Sequence, residues 1–257
     1  MGNVTWEHTD HMADAVVAVV AEMQRRLDAL PADQEQLGDF LGTYLRTTLA
    51  VGKAVDGGLF EDAEWVARWD VAFAELYVDA LDAHLSGGTP SRPWRLAFDA
   101  PAALPALRRV LLGINAHVNY DLPQALLAVI SDHDFGDPAL MARRRRDHER
   151  IDGVLANRVA AEDDELAARS ARSLLDRVLQ PLNRVASRRF LREARLKVWH
   201  NTEELQRARA AGPTAYDERL GELEVLSAAR VADLLAPGQV LLRLAVAGFG
   251  VTLPPAR

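Results

Sequence analysis

Between Val110 and Ser131 the chain reads as a helix that is apolar on nearly every side. Such a helix belongs in the interior, with other helices packed around it. The same stretch carries Asn115, His117, Asn119 and Asp121. Polar groups cost stability in a core unless they are paired or bind something. Asp121 is the only carboxylate of the stretch and His117 its only imidazole, and four-residue spacing places them on one helix face. Pro123 cannot donate to the carbonyl of Asn119, which predicts a kink or local widening just below Asp121.

Apolar residues recur at helical spacing along the rest of the chain. Predicted helices run from about Asp10 to Leu30, from Asp33 to Val55 and from Glu61 to just before Gly87. Trp94 to Phe98 opens a short one, and the central helix covers about Leu104 to Ile130. After a loop from Asp132 to Pro138, further helices cover about Ala139 to Val159, a segment ending near Leu179 before Pro181, Ser187 to Ala211, and a last one reaching about Leu235. There is no strand alternation before the apolar tail, no repeat and no long linker. The pattern predicts an all-α, single-domain multi-helix bundle over residues 1–236 around a buried central helix at about 104–130. The tail, 237–257, is expected to be extended and to cover either this core or that of a partner, a homodimer being one such arrangement.

Hydrophobic residues make up 49% of the chain, enough for a sizeable core. The formal net charge of -7 argues against a general nucleic-acid binder. The chain has no cysteine, so disulfides, thiolate metal sites and a cysteine nucleophile are excluded. No run of apolar residues is long enough to span a membrane, and the short one from Ala15 to Ala21 has acidic neighbours. A cytoplasmic protein is expected, with a small-molecule substrate and neither nucleic acid nor membrane as partner.

The strongest chemical signal is a repeated His-x-x-x-Asp spacing, in His117–Asp121 and again in His148–Asp152. An imidazole and a carboxylate one turn apart can ligate one divalent cation. Asp70 lies on a predicted inward stripe with Val66, Phe73, Tyr77 and Leu81 and would add a carboxylate from a third helix. This donor set suits zinc, iron or manganese. Alternatively, each pair is a local hydrogen bond that satisfies buried polar atoms. A metal-free site uses the same residues: His117, oriented by Asp121, acts as general acid or base beside Asp70. Asn115 and Asn119 would orient or polarise a substrate carbonyl, and Tyr120 and Trp199 are candidate substrate contacts. Trp199, like Trp65 and Trp69, is at helical spacing first a packing residue. The run Arg143 to Arg146 reads as a solvated face near acidic residues, or as a grip for an anionic substrate. His8, Asp10, His11 and Asp14 form another ligand-like group near the N-terminus.

Several stretches resemble an actinobacterial family of uncharacterised proteins, the domain of unknown function family 5995. They are Trp69-Asp70-Val71-Ala72-Phe73-Ala74 with Tyr77, Trp94-Arg95-Leu96-Ala97-Phe98, the core Asn115-Ala116-His117-Val118-Asn119 with Asp121, Asp147 with Ile151, and Arg195 with Trp199. The family pattern carries over onto Asp70, Asn115, His117, Asn119, Asp121 and Asp147. At position 148 it has an aromatic residue rather than His148, and at 152 an Asn-like residue. The resemblance implies no established activity. The order Asp70, His117–Asp121, His148–Asp152 also looks like that of the all-helical zinc-dependent phospholipase C and single-strand nuclease superfamily. That superfamily uses an N-terminal Trp as a ligand, whereas Trp6 here is internal. The functional expectations are therefore three: an intracellular, hydrolase-like enzyme with a divalent metal; a metal-free cyclase, isomerase or lyase of bacterial specialised metabolism, such as natural-product biosynthesis; or a non-catalytic helical binding protein.

Overall fold

The computed structural model describes residues 7–169, 174–238, 248 and 250–255, the side chains of 7–14 and 155–192 excepted. Its elements are α1 (Glu7–Asp28), a 3-10 turn (Ala32–Leu37), α2 (Gly38–Asp56), α3 (Ala63–Leu85), α4 (Arg92–Phe98), α5 (Ala106–Ala116), a π turn (His117–Asp121), α6 (Leu122–Val129), α7 (Asp132–Phe135), α8 (Pro138–Arg169), α9 (Leu174–Ala211) and α10 (Pro213–Leu235). The fold is all-α, and no strand occurs among the described residues. Among those residues, no helix is long and apolar enough to cross a membrane.

Local chemistry sets the boundaries. Asp62 caps α3 by accepting from the Trp65 backbone N–H at 3.1 Å. Ser131 and Asp134 form a reciprocal capping box around the single turn of α7, inside the predicted loop. Prolines open α4 and α10, where the missing N–H costs nothing. Gly212, at φ 130, turns the chain from α9 into α10. Several expected boundaries differ, and α8 continues past Val159 to Arg169. Asp10 lies inside α1 rather than ahead of it, and α9 runs straight through Pro181.

The central helix is the hub. Helix α3 packs on α6, α2 on α5, and α9 and α10 cover α6 and α5 from the other side. One apolar cluster gathers residues from α1 (Met23) to α10 (Leu234) around Leu112, Leu122 and Leu126. A second cluster joins Leu127, Leu205 and Leu223 to Val251 and Leu253. Residues 250–254 of the apolar tail thus lie against the core of their own chain.

Candidate functional site

The hub helix is not continuous α. At His117–Asp121 it widens to a π turn, closed by a hydrogen bond from Leu122 N–H to the His117 carbonyl. Pro123 follows at once, so the predicted widening takes this form, one wide turn over the site residues. His117, Asn119 and Asp121 are all buried there.

His117 Nδ1 meets Asp121 Oδ2 at 2.8 Å. The same oxygen accepts from the indole N–H of Trp94 at 2.7 Å. We assign the Nδ1–H tautomer to His117, because an oxygen already accepting from Trp94 is best matched by a second donor. Nε2 then carries a lone pair, and it is buried without a hydrogen bond. Around the imidazole stand five aromatic rings. Phe73 stacks on it at 3.5 Å between centroids and 6° between planes. Tyr44 presents an edge at 4.4 Å, and Phe40, Tyr77 and Trp94 complete the box. The Tyr44 and Tyr77 hydroxyls make no hydrogen bond of good geometry. A cavity of about 20 Å³, room for one water, is lined by Phe40, Tyr77, Trp94, Phe98 and Gly113 on the outer side of the box.

Burial governs the charges. It pushes the His117 imidazole below its usual value, against the pull of Asp121. It raises the Asp121 carboxyl, against His117 and Trp94. Tyr44 is held well above the usual phenol value by burial and by Asp70 and Asp121. Asp70 is itself raised to about 7 by burial, with Arg195 pulling the other way. The site therefore favours a neutral imidazole and protonated phenols at neutral pH.

The remaining predicted residues divide. Asp70 is buried on α3, one turn before Phe73, and its Oδ2 makes no hydrogen bond. Asn115 donates to the Leu111 carbonyl at 2.8 Å, Asn119 donates to Asn115 at 3.3 Å, and the Asn119 oxygen accepts from Val251 N–H at 3.2 Å. Those carboxamides are engaged with the chain itself. Tyr120 belongs to the second apolar cluster. Trp199 is buried beside His148, 5.6 Å between ring centroids. The second His–Asp pair does not form. His148 lies between Trp69 and Trp199 with neither nitrogen hydrogen-bonded. Asp152 instead takes the Arg195 guanidinium at 3.1 Å, because a buried cation demands a carboxylate more strongly than a neutral imidazole does. Each arginine of the run has an acidic partner: Arg143 with Asp62, Arg144 with Asp134, Arg145 with Glu149, Arg146 with Glu61. Arg143, Arg144 and Arg146 tie α8 to its surroundings, while the Arg145–Glu149 pair lies within α8, so each charge of the run is matched. The side chains of His8, Asp10, His11 and Asp14 lie outside the described residues.

A family model matches residues 16–237. The chain belongs to DUF5995, a family of unknown function. No curated protein and no solved structure matches it. Asp147 has a clear local task. Its two carboxylate oxygens accept from the backbone N–H groups of Glu61 and Asp62 at 2.9 and 2.7 Å, so α8 holds the entry to α3 in place.

The metal expectation does not match the donors. No three His, Asp or Glu side chains among the described residues gather closely enough to hold a cation. His117 Nδ1 and Asp121 Oδ2 are already joined to each other, and His148 and Asp152 have separate surroundings. What the spacing missed comes from distant elements: Phe40 and Tyr44 on α2, and Trp94 on α4. Trp94 lies in one of the stretches that carry the resemblance noted in the sequence, while no local spacing ties it to His117.

Proposed function

We propose that this protein is an enzyme that carries out metal-free acid–base chemistry on a small, mainly apolar molecule, with His117 as the base. The observation that carries this reading is the buried His117 ring, fixed at Nδ1 by Asp121 and bare at Nε2. A buried imidazole with one nitrogen fixed as a donor and the other without a protein partner has the arrangement that proton transfer needs. In this reading Nε2 takes a proton from a substrate C–H or O–H. Asp121 stabilises the imidazolium, and Trp94 keeps Asp121 in place. Tyr44 stays protonated and donates a hydrogen bond to the oxygen on which charge builds. The proton then returns at another atom, as in a cyclase or isomerase, or leaves with the departing group, as in a lyase. The aromatic walls favour an apolar substrate, and because the one-water cavity does not reach His117, access to Nε2 requires the aromatic box to open. A cysteine-free chain fits a reducing, cytoplasmic setting.

Two measurements test the reading. Nitrogen-15 NMR should find His117 neutral and protonated on Nδ1 at pH 7; an imidazolium, or an Nε2–H tautomer, overturns the assignment of the base. In cell extract, the wild-type protein should deplete or produce a small molecule that His117→Gln leaves alone. Identical metabolite profiles for the two proteins would favour the second reading, a non-catalytic helical protein. The observation on that side is the Phe73 ring lying flush on His117, as in a packed core.

A further inference from the structure

Residues 250–254 are held in an unusual way. Val251 and Leu253 are buried while Thr252 and Pro254 are exposed, the alternation of a strand. Strands satisfy their backbone with a neighbouring strand, and none is present among the described residues. Helix side chains take that role instead. Asn119 accepts from Val251 N–H. Asn201 is bidentate: it donates to the Val251 carbonyl at 3.0 Å and accepts from Leu253 N–H at 2.9 Å. His200 Nε2 reaches the Leu253 carbonyl at 3.1 Å, Lys197 reaches the Gly250 carbonyl at 3.1 Å, and Arg219 reaches that of Pro254. All backbone polar groups of Val251 and Leu253 are therefore met, and every contact reads main chain. The two apolar side chains fill a slot formed by Leu127, Leu205 and Leu223. Gly250 lies so close to α9 that a Cβ would stand 2.7 Å from Lys197 Cδ, so the segment is seated tightly.

We propose that the groove between the π turn, α9 and α10 is a recognition site for an extended peptide with apolar residues two apart, and that residues 250–254 occupy it as a ligand in cis. Main-chain hydrogen bonds combined with pockets for alternate side chains are the general means of capturing an extended segment. The groove is linked to the His117 site without depending on its chemistry. Asn119 belongs to the π turn and commits its oxygen to Val251, so occupancy of the groove steadies the turn that carries His117 and Asp121. A competing segment of the same pattern would displace the tail only by exceeding the high effective concentration of a tethered ligand.

The test uses the full chain. Leu253→Asp puts a charge into the apolar slot and evicts the tail while leaving the groove intact. A fluorescent peptide of residues 248–257 should bind this variant saturably, and bind wild type at least tenfold more weakly, because the tail already fills the site. Adding Asn201→Leu to Leu253→Asp should abolish peptide binding while circular dichroism stays helical. A helical Leu253→Asp protein that ignores the peptide overturns the proposal. Should Leu253→Asp fail to fold, hydrogen exchange on wild type and Asn201→Leu decides. The amides of Val251 and Leu253 should be protected in wild type and lose at least tenfold of that protection in the variant; equal exchange overturns the groove. Release of the tail should also speed exchange at Leu122 N–H, which closes the π turn. An unchanged Leu122 rate overturns the coupling to the site.

Discussion

The ring of Phe40 rests on Gly113 so closely that a Cβ at position 113 would stand 2.4 Å from ring carbon Cγ. This contact lets α2 approach α5 and brings Phe40 and Tyr44 to His117, one turn further along the hub. Gly113→Ala should gain helix propensity of up to about 1 kcal/mol and lose more to overpacking, about 1–3 kcal/mol. Gly221→Ala on α10 has open space around it and should stabilise by a few tenths to about 1 kcal/mol. Thermal melts of the two variants, moving in opposite directions from wild type, check the contact. A Gly113→Ala protein as stable as Gly221→Ala would show that the packing is loose.

Asp70 sets a pH dependence with a definite sign. Its folded pKa is raised to about 7 from an ordinary value of 3.8. Between those values the folded chain holds a proton that the unfolded chain has released. The contribution of Asp70 is therefore complete below about pH 4, declines as pH rises towards 7, and stays lost above it. Asp70→Asn cannot ionise and escapes this decline. Relative to wild type it should gain stability from pH 4 to pH 7.5, by up to about 4 kcal/mol as an upper bound. Denaturant midpoints across that range measure it; a difference that does not vary with pH would mean that Asp70 is ionised in the folded protein.

His148 acts in the opposite sense. Burial, with the nearby Arg195 and Arg145 charges, holds its imidazole well below the usual value. As pH falls below about 6.5 the unfolded chain takes up a proton that the folded chain refuses, and wild type loses stability. His148→Phe keeps a ring between Trp69 and Trp199 and removes two buried nitrogens without hydrogen bonds. Its advantage over wild type should widen from pH 7.5 to pH 5, by at most about 1.4 kcal/mol for each unit below 6.5. Melting curves at three pH values suffice, and a difference between the two proteins that does not change with pH would mean that His148 titrates alike in the folded and unfolded chains.

The fold is legible in the sequence because helical spacing repeats along the whole chain. The hub is legible because four polar residues set into an otherwise apolar helix must each find a buried partner. Pro123 announces that the hub deviates below Asp121, since its carbonyl partner is fixed by sequence. The His148–Asp152 pair fails for a physical reason. Spacing reports which residues share a helix face, but Arg195 comes from α9 and outcompetes the imidazole for Asp152. Trp94 and Tyr44 reach His117 from other helices, and no local pattern states that. The capture of residues 250–254 is half legible: their apolar character requires a cover, while the Asn201 clamp depends on a juxtaposition across about fifty residues of chain.

The sharpest probe of the His117 site is Asp121→Asn. The carboxylate presents one oxygen, Oδ2, to two donors, Trp94 Nε1–H and His117 Nδ1–H. A carboxamide has one oxygen and one NH₂ group. If the amide oxygen takes over both contacts, the geometry survives without the negative charge. If the NH₂ turns to His117, Nδ1 must become the acceptor and the proton moves to Nε2. That tautomer has no base at Nε2, so proton transfer through His117 stops while the fold remains. The loss of a charged acceptor for two buried donors should cost about 1–3 kcal/mol of stability. It should also lower the His117 pKa further, because the carboxylate is the group that raises it. Nitrogen-15 shifts of His117 in the variant distinguish the two arrangements. A His117 pKa that stays at the wild-type value would mean that Asp121 is already neutral in the folded protein, and that Trp94 and His117 share a protonated carboxyl.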